Sequence, residues 1–106
     1  MAQTPEKKVK EKIKQILKAR GAVYCMPMGT GYGSAGVSDF IVCDGGHFIA
    51  IEAKAGKGNT TALQDKWLAE VEDSGGKSLV INENNVGELN QILEDTYWER
   101  FIKGNT

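Results

Sequence analysis

Apolar residues at Val9, Ile13, Ile16 and Leu17 recur every three or four positions, the spacing that gives a helix one buried face. Thr4-Pro5 just upstream reads as a helix start. The threonine hydroxyl can cap a free N–H, and proline at the first helical position gives up only an N–H that has no partner there. Arg20-Gly21 ends the helix with a glycine suited to the left-handed C′ position. Residues 22–26 (AVYCM) predict a short strand, and residues 27–36 a loop carrying Gly29, Gly31, Gly33 and Gly36. Residues 39–54 (DFIVCDGGHFIAIEAK) predict a hairpin whose apolar arms flank Asp44-Gly45-Gly46. After a loop at 55–60, Thr61 is the N-cap of a second helix marked by Leu63, Trp67, Leu68 and Val71 and stopped by Gly75-Gly76. Residues 77–81 predict a further strand, and Leu89, Ile92, Leu93 and Trp98 a last helix with a polar tail. The order α-β-β-β-α-β-α implies an α/β fold, a mixed central sheet flanked by helices.

The 106 residues fit one domain, 1–106, with a core over about 5–81 and a last helix and polar tail over 86–106. No apolar run approaches a membrane span, and the polar start MAQTPEKKVK has no secretory h-region. Cys25 and Cys43 make no disulfide framework, so a reducing cytoplasm is expected, with both thiols buried and His47 exposed at the hairpin tip. No zinc-ligand spacing joins the three. The near-zero net charge hides an asymmetry. Residues 1–60 carry nine Lys/Arg against five Asp/Glu, a net +4, and residues 61–106 carry four against nine, a net −5. Seven of the basic residues, Lys7, Lys8, Lys10, Lys12, Lys14, Lys18 and Arg20, fall on the first helix. Such a stripe is either a solvated helix face or a contact for an anionic partner, nucleic acid first.

Gly31-x-Gly33-x-x-Gly36 satisfies a dinucleotide-binding pattern, but a strand follows it where that motif needs a helix to open on the pyrophosphate. No nucleotide cofactor is expected, and the loop instead lets a bulky substrate backbone approach closely.

The hairpin carries the chemistry. With the turn centred on Gly45-Gly46, cross-strand partners have numbers summing to 91, which places Asp39 opposite Glu52 on one sheet face. Two carboxylates that close call for a cation, and oxygen ligands suit Mg²⁺ or Mn²⁺. Alternation puts Lys54 on the same face as Glu52. A one-residue slip would break the pairing. Glu6 falls on the apolar side of the first helix, among Val9, Ile13 and Leu17, while Glu11 points away. Gln64 falls with Leu63, Trp67 and Val71 on the second. Each needs a polar partner, and the Asp39/Glu52/Lys54 cluster is the common one.

Glu6, Gly36-Val37-Ser38-Asp39, Ile51-Glu52-Ala53-Lys54 and Gln64 together resemble the PD-(D/E)xK nuclease superfamily, and within it the virus-type replication-repair nuclease (VRR-NUC) domain, over about residues 5–81. Ser38 departs from the pattern, which has proline there. The resemblance implies a restriction-endonuclease-like core and metal-dependent hydrolysis of DNA phosphodiesters. It assigns Asp39, Glu52 and the Ala53 carbonyl to a divalent ion, Mg²⁺ or Mn²⁺, and Glu6 to a second ion or its water. Lys54 would orient the water or stabilise charge at phosphorus, and Gln64 would order the site or touch the substrate. Stand-alone members resemble phage-encoded endonucleases that act on branched DNA such as four-way junctions as homodimers. Lys10, Lys14, Lys18 and Lys57 would contact phosphates, and Tyr32 is an aromatic placed to touch DNA. Trp67 and Trp98 are read as core or interface anchors, and Met26 and Met28 as packing or loop residues. The alternatives are a restriction-type enzyme or an exonuclease, or a DNA-binding module of the same fold without catalysis.

Overall fold

The structure, a computed structural model, describes residues 3–28 and 36–95. Tyr32, Trp98 and the glycine pair Gly31 and Gly33 lie outside the described residues. The first helix, α1, spans Pro5–Arg20 as the sequence predicts. The Thr4 hydroxyl accepts from the Lys7 N–H at one end, and Gly21 closes the other in the left-handed conformation at φ 73°. Its buried stripe is Val9, Ile13 and Leu17.

Four strands follow: β1 (Val23–Cys25), β2 (Phe40–Asp44), β3 (His47–Ala53) and, after helix α2 (Ala62–Asp73), β4 (Lys77–Ile81). They form one sheet in the order β1-β2-β3-β4. The first two pairings are antiparallel and β3–β4 is parallel, the geometry that a helical crossover permits. Phe40 pairs with Ile51 and Asp44 with His47, so the hairpin has the expected register. Gly45 and Gly46 both take positive φ, as a tight two-residue turn requires.

Alternation divides β2 between two faces. Phe40 and Val42 join Ile49, Ile51, Ala53 and Ile81 against α1 and against Val86, Leu89 and Leu93 of the helical residues 86–95. On the opposite face α2 packs over β3 and β4, where Ala50, Leu68, Val71 and Trp67 form a smaller core. Leu63, expected on this buried side, is 55% exposed. The helix turns its Leu68–Val71 stripe to the sheet and leaves its first turn over the strand ends.

No element of the described chain covers the same face of β1 and β2. Val23 is 74% exposed there, and Cys25 and Cys43 are exposed rather than buried, because α2 stops at β3. His47 is half-buried, against the exposed position expected. Tyr24, on the covered face of β1, packs its ring 5.9 Å from that of Phe40. Met26 packs against the core and Met28 is exposed. Among the described residues no helix is long and apolar enough to cross a membrane.

Gly36 fixes how α2 meets the strand that follows the glycine loop. Its φ is +78°, and a Cβ there would collide with the backbone carbonyl of Leu63. Gly36→Ala is therefore expected to cost about 2 kcal/mol of stability in urea denaturation, as the first turn of α2 is pushed from the strand ends.

Candidate active site

Glu52 enters the site because an otherwise apolar strand runs out of apolar residues. Ile49, Ala50 and Ile51 are buried, and Glu52 follows at 3% exposure with only its side-chain neighbours for solvation. Its Oε1 accepts a hydrogen bond from Gln64 Nε2 at 3.1 Å and lies 3.8 Å from Lys54 Nζ. Oε2 is buried and has no hydrogen-bond partner. Leaving a carboxylate oxygen so placed is costly unless a cation or proton meets it.

Asp39 sits one residue before β2, where the hairpin register carries it opposite Glu52. Its Oδ2 accepts from the Ala53 N–H at 2.8 Å, which fixes the carboxylate beside the end of β3. Its Oδ1 lies 3.4 Å from Lys10 Nζ. Asp39 and Glu52 are neighbours across the hairpin, and this pair sets the electrostatics. Burial pushes the Glu52 carboxyl up to about 7, helped by Asp39, which can accept from the protonated form and repels the ionised one, with Lys54 opposing.

Gln64 is held from two sides. Its Oε1 accepts from the Thr61 N–H at 2.9 Å, while its own N–H donates to the Thr61 hydroxyl, a reciprocal capping box at the start of α2. With the oxygen committed to the cap, the amide nitrogen must face Glu52. Ser38 joins the same region. Its hydroxyl donates to the Phe40 carbonyl at 2.9 Å and accepts from Trp67 Nε1 at 3.3 Å. Ser38 thus ties α2 to the start of β2.

The sequence-predicted residues do not all converge. Asp39, Glu52, Lys54 and Gln64 come together, with the Ala53 backbone between them. Glu6 is not buried on the apolar side of α1; its side chain is 45% exposed. At the N-terminal turn the sheet no longer covers the helix, so Glu6 connects to the site through Lys10, whose Nζ lies 3.7 Å from Glu6 Oε2. Lys10, read from the sequence as a phosphate contact, is a cation of the site itself. Lys14 pairs with Glu11 at 3.1 Å, so Glu11 is engaged rather than simply turned away. Lys18 and Lys57 are exposed. The helical spacing of Glu6 and Lys10 was visible in the sequence, but the reach from Lys10 to Asp39 crosses elements that only packing brings together.

The donor set fits a hard divalent cation in chemistry. It offers two carboxylates, one with an unpartnered buried oxygen, at the end of β3. Among the described residues no group of three acidic, histidine or cysteine side chains converges to hold an ion by itself. An ion here would complete its shell with backbone oxygen, water and phosphate, as Mg²⁺ commonly does.

The sequence matches no protein-family profile and no curated protein. The fold does match a solved structure described as a VRR_NUC domain, with a TM-score of 0.68 and 18% sequence identity, covering 84% of this chain and 97% of that one. This chain therefore has the fold of that domain, a mixed four-stranded sheet with flanking helices of restriction-endonuclease-like type.

Proposed function

We propose that this protein is a divalent-metal-dependent endodeoxyribonuclease that hydrolyses phosphodiester bonds in branched DNA, four-way junctions among them, as a homodimer. The observation that carries the reading is the buried, unpartnered Glu52 oxygen beside Asp39, Lys54 and Gln64, on a fold shared with a VRR_NUC domain. Preference for branched DNA and dimerisation rest on the motif resemblance. The bare apolar face of β1–β2 at Val23 offers a surface for a second copy.

Asp39, Glu52 and the Ala53 carbonyl would hold Mg²⁺ or Mn²⁺, and Glu6 would serve a second ion or its water. When bound, such an ion lowers the pKa of a coordinated water and neutralises charge on the phosphate. Gln64 holds Glu52 Oε1 and so leaves Oε2 free for that role. The Ala53 N–H fixes Asp39 in the same way. Lys54, 3.8 Å from Glu52, would orient the attacking water and meet charge developing at phosphorus. Lys10 balances Asp39 and Glu6 and adds a second positive charge for a phosphate at the rim.

The test is cleavage of a labelled four-way junction beside matched duplex and single strands, in Mg²⁺, Mn²⁺ or EDTA. Wild type should cut the junction preferentially and only with metal. Lys54→Ala should lower the rate about 10²-fold while retaining junction binding. Equal cutting of all three substrates would keep the nuclease and remove the junction role. Binding with no cutting in either metal would leave a DNA-binding module. Gel filtration with light scattering reads the dimer directly.

A further inference from the structure

A concave feature lies at the same end of the sheet as Asp39 and Glu52, along the other side of α1. Pro5, Lys8, Val9 and Lys12, at helical spacing, face Gly56, Glu83 and Val86 across a cavity of about 330 Å³. Its wall is continuous with the site. The Lys54 N–H donates to the Ile81 carbonyl at 2.9 Å, and two residues on the Gly56 N–H donates to the Glu83 carboxylate at 2.9 and 3.2 Å. The chain leaving β3 past Lys54 therefore becomes one side of the cavity.

The lining has three chemistries. Val9 and Val86 close the base, and Pro5 with the aliphatic stems of the two lysines makes the sides apolar. Lys8 and Lys12 are exposed and take part in no ion pair among the described residues, whereas Lys10 and Lys14 on the neighbouring stripe are engaged. Glu83 is pinned by Gly56 and keeps lone pairs for a further donor.

We propose that this groove holds one unpaired nucleotide flanking the cleaved phosphate, its base against Pro5, Val9 and Val86, its amino edge toward Glu83 and its phosphates on Lys8 and Lys12. The proposal rests on the nuclease reading and sharpens its substrate. The volume is at the small end of ligand cavities and suits one nucleotide rather than a helix. A base stacked in a duplex cannot enter, but one at a flap, gap or branch can. Two ammonium groups with no ion pair among the described residues complement the backbone, and the Glu83 carboxylate across the cavity favours a ligand with donors as well as phosphates, since it accepts from amino groups of bases.

The experiment titrates wild type and the Lys8→Gln/Lys12→Gln double variant by fluorescence anisotropy with two labelled DNA hairpins. One carries a three-nucleotide single-stranded flap and the other is flush, and EDTA prevents cutting. Wild type should bind the flap hairpin about tenfold more tightly than the flush one. The double variant should lose that difference, and its slope of log affinity against log salt should shrink by about 1.4, two single-strand phosphate contacts. Glu83→Gln should keep overall flap affinity and alter which flap base is preferred. Equal binding of both hairpins by wild type, or a flap preference that survives in the double variant, would overturn the proposal. An unchanged melting temperature shows that both variants fold. Hydrolysis of bis(4-nitrophenyl) phosphate with Mn²⁺, a diester too small to span both sites, should be the same in wild type and double variant. If wild type fails there and on DNA, the nuclease reading fails, while the flap result in EDTA still decides the groove.

Discussion

Replacing Glu52 by glutamine will stabilise the metal-free protein at pH 8 and, in the same molecule, lower metal-dependent cleavage by about 10³-fold. The opposite signs share one cause. Burial and the adjoining Asp39 raise the Glu52 carboxyl from its ordinary 4.5 to about 7. The folded state therefore holds this proton more tightly than the unfolded chain. Its contribution to stability is complete below pH about 4.5 and is lost as pH rises through about 7. A shift of this size corresponds to roughly 3 kcal/mol, the stability the metal-free protein should lose between pH 4.5 and pH 8 on account of this group. Glutamine keeps the shape and can still accept from Gln64, but it never ionises. Urea denaturation in EDTA should show the wild type losing stability across that window and Glu52→Gln losing much less. Mn²⁺ should raise the wild-type melting temperature strongly at pH 8 and weakly at pH 6, where the proton competes for the same oxygen. Glu52→Gln should show little metal shift at either pH. A flat pH profile in wild type would mean that Glu52 is ionised throughout, and that Lys54 and Gln64 suffice as its partners.

Arg20→Ala will cost about 3 kcal/mol of folding stability without directly disturbing the catalytic groups. Arg20 counts in the sequence as one more member of a basic stripe, but the fold removes it from any such role. Its side chain is 12% exposed, and it donates through Nε and Nη2 to Asp44 at 3.2 and 2.8 Å and through Nη1 to Glu94 and to Asn90 Oδ1 at 2.9 Å each. The hydrogen bonds that Arg20 donates to Asp44, with Glu94 adding to them, hold the guanidinium above its ordinary pKa against the cost of burial. Three pieces of chain meet there: the end of α1, the hairpin tip and the helical residues 86–95. Truncation strands the buried Asp44 carboxylate, and an uncompensated buried charge costs more than the lost pair contributes. The expected result is a lower urea midpoint at pH 7, with affinity for junction DNA little changed in the folded fraction. Arg20→Met combined with Asp44→Leu should recover most of the loss, because no buried charge is then left unpaired and Glu94 is half exposed. A variant that keeps its midpoint and loses DNA affinity would instead make Arg20 a phosphate contact.

Much of this protein was decided locally. Thr4-Pro5 and Gly21 set α1, Thr61 capped α2, and Gly45-Gly46 fixed a turn whose geometry left one register for β2 and β3. Once that register held, Asp39 had to face Glu52, so the acidic pair was legible from sequence spacing and turn chemistry. Gln64 was legible too, because helical periodicity put an amide where only a polar partner would serve it. Periodicity gives direction around a helix but not what stands opposite, and there the sequence fell short. Glu6 pointed the right way and stayed half exposed, since the first turn of α1 overhangs the sheet. Leu63, Cys25 and Cys43 looked apolar enough to bury, yet α2 covers only β3 and β4 and turns Leu68 and Val71, not Leu63, to the sheet. The roles of the first-helix cations were decided in space alone. Lys10 went to Asp39, Arg20 to Asp44, and Lys8 and Lys12 to an open groove. Turns and caps are short-range and encoded by the residues that form them, whereas burial and ion pairing depend on which distant surface arrives, and that is settled when the layers pack.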